Sequence, residues 1–514
     1  MKYYITKKQT KLTYFYKIWF LIIIFSLAAF NATYGSEKNG SRLHPDTHNA
    51  IVQVHTESSK PSFANPWVTK PDNKTGAGFI ISEDRILTNA HVVADNRSIK
   101  VRKALDNKEY EAKVLHISHE ADLALLTVED STFFSRAGQL GFRSMPDAGT
   151  RVEIYGFPAE EGLTITDAIV ADIKHRMYRH SSSYFLAGEV LSKIEPGHSG
   201  GPVIYDGKVI GIIMQANKSG SVGHMITGQI IDHFLNDIED GQYDGFPDMG
   251  LITQTHDDSF LYDECETPDS IRGVRVSHII SGSPAEGKIM KNDVLLRING
   301  QPIADDGTVE FRAGERTNFN YAIEMKNIGE EIRVDLVRSG IIRSIKLTLD
   351  KTKKDFLLIP REQYDTEPRY FIFGGIIFSP LTKNILNEWK NAPEELVSQL
   401  TGWPTTDRKE VVIALQVLPA EVNRQFQGLS GWIINEVNGR GFKDFNEFYR
   451  MVAFSDDPQV VFRNTKGSRI VLDRRMAEAS HESILRTYSI REDRSPDLRE
   501  FHVRKQFITG KNYQ

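Results

Sequence analysis

EPGHSGGP, residues 195–202, stands between a β-rich run and the apolar segment VIYDGKVIGIIMQA (203–216). Ser199 is wedged among glycines, with His198 beside it. A hydroxyl is a weak nucleophile until a base takes its proton and fixed donors hold the oxyanion that follows. The glycines suit the second task. They permit a tight turn whose backbone N–H groups converge on one point and leave room for a substrate chain. His198 is excluded as the base, because adjacent side chains leave the backbone in divergent directions; its expected contribution is its own N–H. The base must come from elsewhere in the chain.

Two upstream stretches supply partners. TNAHVV (88–93) places His91 at the end of a β-run beside small residues, and HEADLALLTV (119–128) places Asp122 just before an apolar strand. An acid partly buried there can hold an imidazole in one tautomer and stabilise it once protonated. The order is His, Asp, Ser, with gaps of 31 and 77 residues. That is the order of chymotrypsin-type β-barrel proteases, not of α/β-hydrolases or subtilisins. Competing residues fare worse. His116 and His119 in HISH could be a metal pair, but no carboxylate or thiol cluster completes a site, and they read as a solvated strand end. Asp95 and Asp130 have no apolar strand behind them.

The surroundings are β-type. Short runs such as IVQVHT, GAGFIIS, YEAKVLHIS, LALLTV and RVEIYGF, broken by Gly, Asp and Asn, predict an all-β barrel or sandwich. Asp206-Gly207 is a hairpin turn, since both central residues of that turn need positive φ. QIIDHFLNDIED (229–240) predicts a closing helix. A second unit centres on GVRVSHIISGSPAEGKIMKNDVLLRINGQPI (273–303), with a short helix expected after Ser-Pro-Ala. A third contains INEVNGRGFKDFNEFYRMV (434–452), whose strand–Asn-Gly–helix order echoes the second. The expected boundaries are 1–35 for a leader, 45–240 for the first domain, 245–352 and 365–475 for the two modules, and 476–514 for a poorly packed polar tail.

Composition sets limits. The 514 residues exceed one core, and 40% hydrophobic with 25% charged residues is ordinary for globular domains. The net charge is −5 although the first 35 residues hold five lysines and no acid, so nothing favours nucleic acid as a partner. Those lysines precede IWFLIIIFSLAAF (18–30), the build of a secretory signal peptide cut after Gly35. The alternative is an uncleaved anchor, although the run is shorter than the roughly 20 residues of a spanning helix. Cys265 is alone, which excludes an intramolecular disulfide, and reads as an ordinary thiol.

TNAHVV, ADLALL and GHSGGP together resemble the Deg/HtrA family of trypsin-like serine proteases. SPAEGKIMKNDVLLRINGQPIADDGTVEFRAGERTNFNY (283–321), RYFIFGGIIFSPLT (369–382) and VVIALQVL (411–418) extend the resemblance to the plant-type Deg branch, with two divergent PDZ domains, along nearly the whole mature chain. The implied fold is mostly β: a chymotrypsin-like double β-barrel followed by two PDZ-like α+β domains. His91 resembles the general base, Asp122 its orienting acid and Ser199 the nucleophile, with the N–H groups of Gly197, His198 and Ser199 as the oxyanion hole. The family often has Asn where this chain has His198. The leader departs from the plant branch and points to a secretory or periplasmic address.

The expected function is an exported, ATP-independent endopeptidase acting on unfolded or misfolded polypeptides without metal or organic cofactor. The alternative is a peptide-binding, chaperone-like scaffold with a mostly inactive protease domain, regulated through the loop HRMYRHSSSYF (175–185). Pocket walls are expected from Ile194 and from Met214, Gln215 and Ala216 onward to Lys218; the absence of acids there predicts small or medium apolar side chains at the cut position. Met249, Gly250 and Leu251 form the candidate loop for the carboxylate of C-terminal peptides at the first PDZ-like unit, with the alternative that Met249 and Leu251 simply start a buried strand. The corresponding loop of the third unit falls at Phe373-Gly374-Gly375-Ile376. The resemblance implies a homo-oligomer, a trimer or a hexamer built from trimers.

Overall fold

The short apolar runs after Ile51 each bury one face, and they close on one another. The computed structural model describes residues 45–158, 162–255 and 272–499; the expected leader and Cys265 lie outside the described residues. Strands β1 (Ile51–Pro61), β2 (Thr69–Pro71), β3 (Lys74–Ser82), β4 (Arg85–Thr88), β5 (Asn96–Lys103), β6 (Tyr110–Ser118) and β7 (Leu123–Val128) build the first barrel. Its order is β1-β3-β4-β7-β6-β5, β5 returns to pair with β1, and β2 lies outside it as a ribbon on β1. A second closed barrel follows: β8 (Arg151–Gly156), β9 (Thr164–Tyr178), β10 (Ser183–Leu191), β11 (Pro202–Tyr205), β12 (Lys208–Ala216) and β13 (Val222–Thr227), in the order β10-β13-β12-β11-β8-β9. Closure leaves no unpaired edge.

Local signals explain the turns. Asp206 and Gly207 have φ of 50° and 71° where Tyr205 faces Lys208, the geometry expected of a two-residue hairpin. Asn299-Gly300, Ser339-Gly340 and Asn438-Gly439 repeat it, each with both φ positive. The predicted closing helix spans Gly228–Asp237 and continues as a short 3-10 turn. The segment after Ser-Pro-Ala is a series of turns rather than a helix, anchored by the Ile289 N–H on the Ala285 carbonyl.

The second unit is an antiparallel sheet (Leu251–Gln254, Val274–Ile279, Val294–Ile298, Glu331–Arg338, Ile341–Thr348) beside a one-turn helix, Tyr321–Glu324. The third holds two four-stranded sheets over the helix Phe445–Ala453. Asp444 caps that helix by accepting from the Glu447 N–H at 2.8 Å, a contact worth about 1 kcal/mol. Phe445, Phe448, Tyr449 and Val452 line its buried side at helical spacing.

The tail expectation is corrected. Arg474–Thr487 is a helix that buries Ala477, Ile484 and Leu485, and Ile490 and Leu498 also reach the core of the third unit. Its apolar stripe is so narrow among charged residues that the segment reads as polar. The third unit is also keyed to the first barrel. Phe63, from the loop after β1, packs with Leu358, Ile385 and Leu386, and Trp67 meets Tyr370 edge-on at 6.1 Å.

Candidate active site

His91 lies in a one-turn helix, Ala90–Val93, that leaves β4, and Asp122 lies in the turn entering β7 with φ of 57°. Because β4 and β7 are adjacent, the two residues meet. His91 Nδ1 is 2.8 Å from Asp122 Oδ2 and 3.0 Å from Oδ1, and the His91 main-chain N–H donates to Oδ1 at 2.9 Å. Asn89 fixes the turn by donating Nδ2–H to the Asp122 carbonyl at 2.9 Å. Burial by itself would raise the Asp122 pKa, but the charge and hydrogen bonds of His91 outweigh it and hold the carboxyl below its usual range. A carboxylate only accepts, so Nδ1 carries the proton and Nε2 is left to receive one.

The Ser199 loop is stitched between the barrels. Its carbonyl accepts from the Ala77 N–H of β3 at 2.7 Å, while the Gly197 carbonyl accepts from the Phe157 N–H at 3.0 Å. A side chain at Gly197 would come 2.1 Å from the Phe157 carbonyl oxygen, and one at Gly201 would come 1.9 Å from that of Tyr155. Only glycine permits this approach. Among the described residues the N–H groups of Gly197 and Ser199 donate to no protein atom.

His198 departs from expectation. Its N–H donates to the Glu195 carbonyl at 3.2 Å and so is not a free third donor. Its ring is 1% exposed, with Nδ1 3.0 Å from the Glu195 carbonyl oxygen and Nε2 3.4 Å from Thr166 Oγ1. The side chain staples the turn that presents Ser199.

His91, Asp122 and Ser199 line one cleft of about 750 Å³ together with Ile194, Met214, Gln215 and Ala216. The rim is not free of acids: Glu195 pairs with Lys193 at 2.8 Å, and Glu362 lies 3.7 Å from Lys60. Across the cleft, the Arg179 guanidinium donates to the Ala216 carbonyl at 2.8 Å.

The two expected carboxylate loops are closed. Met249 is buried in the core of the second unit, and the Gly250 N–H donates to Asp248 Oδ1 at 2.7 Å, where a peptide carboxylate would need it. The neighbouring groove holds only about 140 Å³ and is walled by Phe356, Leu357 and Trp403 from outside the unit. In the third unit Gly374-Gly375 is a buried hairpin turn, plugged by Asn423, whose Nδ2–H donates to the Gly374 carbonyl at 2.9 Å.

The comparisons accord with this architecture. A trypsin-like peptidase domain matches residues 76–212, and PDZ domains match 256–310 and 359–497. The putative mitochondrial protease Do-like 3 of Arabidopsis thaliana is 32% identical over 454 residues, covering 88% of this chain and 80% of the relative. The chain belongs to the Deg/HtrA family of serine proteases. The chloroplastic protease Do-like 2 of the same plant is 29% identical over 465 residues, covering 88% of this chain and 76% of its own. Among solved structures, the HtrA-type protease AlgW with a decapeptide aligns at 22% identity and a TM-score of 0.46, over 59% of this chain and 96% of its own.

This Deg protease carries site features that its sequence motifs do not signal. His180, Glu362 and Tyr364 line the cleft, and His119, read as a solvated strand end, lies 3.0 Å from His180 Nε2 through its Nδ1. Among the described residues no group of three His, Cys, Asp or Glu could hold a metal ion. The signal missed was the stretch REQYDTEPR (361–369), whose aromatic and acidic residues sit in what reads as a linker.

Proposed function

We propose that this enzyme is an endopeptidase cleaving extended, unfolded polypeptide through Ser199 as nucleophile, His91 as general base and Asp122 as its orienting acid. The reading is carried by one observation: the His91–Asp122 pair and Ser199 share a cleft, and among the described residues the N–H groups of Gly197 and Ser199 are given to no protein acceptor. Attack on the peptide carbonyl passes the Ser199 proton to His91 Nε2, and the two N–H groups take the oxyanion. His91 then protonates the leaving amine, and water releases the acyl group by the reverse route. The open cleft, walled by Ile194 and Met214, suits an apolar side chain of moderate size. Ser199→Ala is expected to abolish cleavage of unfolded casein, on the scale of about 10⁶ in kcat; undiminished cleavage would refute the assignment.

A second reading, a peptide-binding scaffold with its protease centre held shut, draws on Arg179, which occupies the Ala216 carbonyl at the cleft rim. A fluorophosphonate probe separates the two. Labelling at Ser199 supports the protease; peptide binding without labelling favours the scaffold.

A further inference from the structure

Residues 361–366, at the start of the second PDZ domain, run along the back of the cleft. Arg361 donates to Ser183 Oγ, the Tyr364 hydroxyl donates to the His180 carbonyl at 2.9 Å, and Lys383 of the second PDZ domain reaches Ser182 Oγ at 2.5 Å. The loop joining β9 to β10 is thus gripped at three residues from outside its own barrel. Tyr364 also stacks on His180, with ring centroids 3.9 Å apart and planes 24° apart. The His180 ring in turn lies 6.0 Å from that of His91.

Asp365 makes the second connection. Its Oδ1 accepts the Asp95 N–H at 2.6 Å, and Asp95 Oδ1 accepts the Asp365 N–H at 2.8 Å. Asp95 follows directly on the capping residue of the helix that carries His91. Asp365 Oδ2 is 2.8 Å from His119 Nε2. Since the carboxylate only accepts, His119 holds its proton on Nε2 and accepts at Nδ1 from His180 Nε2–H, 3.0 Å away. Burial keeps His180 neutral, with a pKa lowered to about 3 although the Asp122 charge pulls the other way.

We propose that the 361–366 arm is a positioning element of the catalytic centre. Through Asp95 it holds the end of the His91 helix; through His119 and Tyr364 it holds His180 as the wall beside the His91–Asp122 pair. The second PDZ domain, keyed to the first barrel by Phe63, is then part of the apparatus that sets the base rather than a peripheral docking module. The inference rests on His91 being the general base.

Asp365 does not line the cleft, which makes it the residue to change. In the full-length enzyme, Asp365→Ala is expected to lower kcat for a short peptide about tenfold, the scale of one or two lost hydrogen bonds, with KM within about twofold. Asp365→Asn keeps an acceptor for the Asp95 N–H but turns a donor toward His119 Nε2, so it is expected to fall between wild type and the alanine variant. Because Asp365 acts in part through His180, the losses in Asp365→Ala/His180→Ala are expected to combine to less than their product. The proposal is overturned if Asp365→Ala keeps wild-type kcat, if the loss falls on KM, if Asp365→Asn is as impaired as the alanine variant, or if the double variant multiplies the two losses. Fluorophosphonate labelling keeps the two readings apart. An unlabelled wild type overturns the protease assignment and this inference with it; a labelled wild type beside an unaffected Asp365→Ala overturns this inference alone.

Discussion

Replacing Asp122 by Asn removes one charge and changes one atom, and the local geometry dictates where that atom must go. Oδ1 accepts the His91 main-chain N–H at 2.9 Å, so the amide oxygen of the variant has to keep that position. The amide NH₂ then occupies the site of Oδ2, 2.8 Å from His91 Nδ1. Two donors cannot face each other at that distance. The amide oxygen, 3.0 Å from Nδ1, is already engaged by the main-chain N–H, so His91 is expected to shift its proton to Nε2, which then cannot take one from Ser199. The buried site admits no easy rearrangement, since Asp122 is 2% exposed and its carbonyl is tied to Asn89. The same exchange in a trypsin-type triad costs about 10⁴ in kcat with the geometry intact, or about 5.4 kcal/mol of transition-state stabilisation. We expect that scale here. Steady-state cleavage of a short chromogenic peptide measures it, with melting curves to confirm the fold. A loss smaller than about tenfold would refute the argument that the pinned Oδ1 forces the wrong tautomer.

His198→Ala is expected to lower the fluorophosphonate labelling rate of Ser199 about tenfold, the effect of losing one buried hydrogen bond of about 1 kcal/mol and the ring that fills the turn; His198→Asn, which can still donate to the Glu195 carbonyl, should recover most of it, and an unimpaired alanine variant would refute the staple. Acid should destabilise the fold before the carboxylates titrate, because burial lowers His180 to about 3 and His233, stacked on Phe246, to about 4 from the ordinary 6.5. The unfolded chain takes up these protons first, so stability is complete above about pH 6.5 and falls below it by at most ~1.4 kcal/mol per pH unit per histidine; urea unfolding at pH 7 and pH 5 tests this, and equal or greater stability at pH 5 would contradict it.

Features encoded within a few residues were legible in the sequence. The positive φ of Asp206-Gly207 and Asn438-Gly439 follows from residue types that tolerate it, and the spacing of Phe445, Phe448, Tyr449 and Val452 is that of one helix face. GHSGGP was legible for the same reason: a turn wedged against the Tyr155 and Phe157 carbonyls admits nothing larger than glycine. Features that depend on distant partners were not. The carboxylate cradle at Met249–Leu251 has the right residue types, but Asp248 fills it and Trp403, some 150 residues on, helps wall the groove. Helix Arg474–Thr487 reads as a charged tail because its three buried apolar residues count only once the third unit's core is there to receive them.

The chain's own sequence determined the β character of the first domain, the order of His91, Asp122 and Ser199, and the glycine turn, because each is written in residue order, local backbone freedom or apolar periodicity. Tertiary structure decided what surrounds those residues. It spent the His198 N–H within its own turn, and it brought Tyr364 against His180 across 184 residues and Asp365 against Asp95 across 270, behind His91. The reason is physical. A turn is written in the residues that make it, whereas a hydrogen bond between two loops exists only where packing delivers both of its ends.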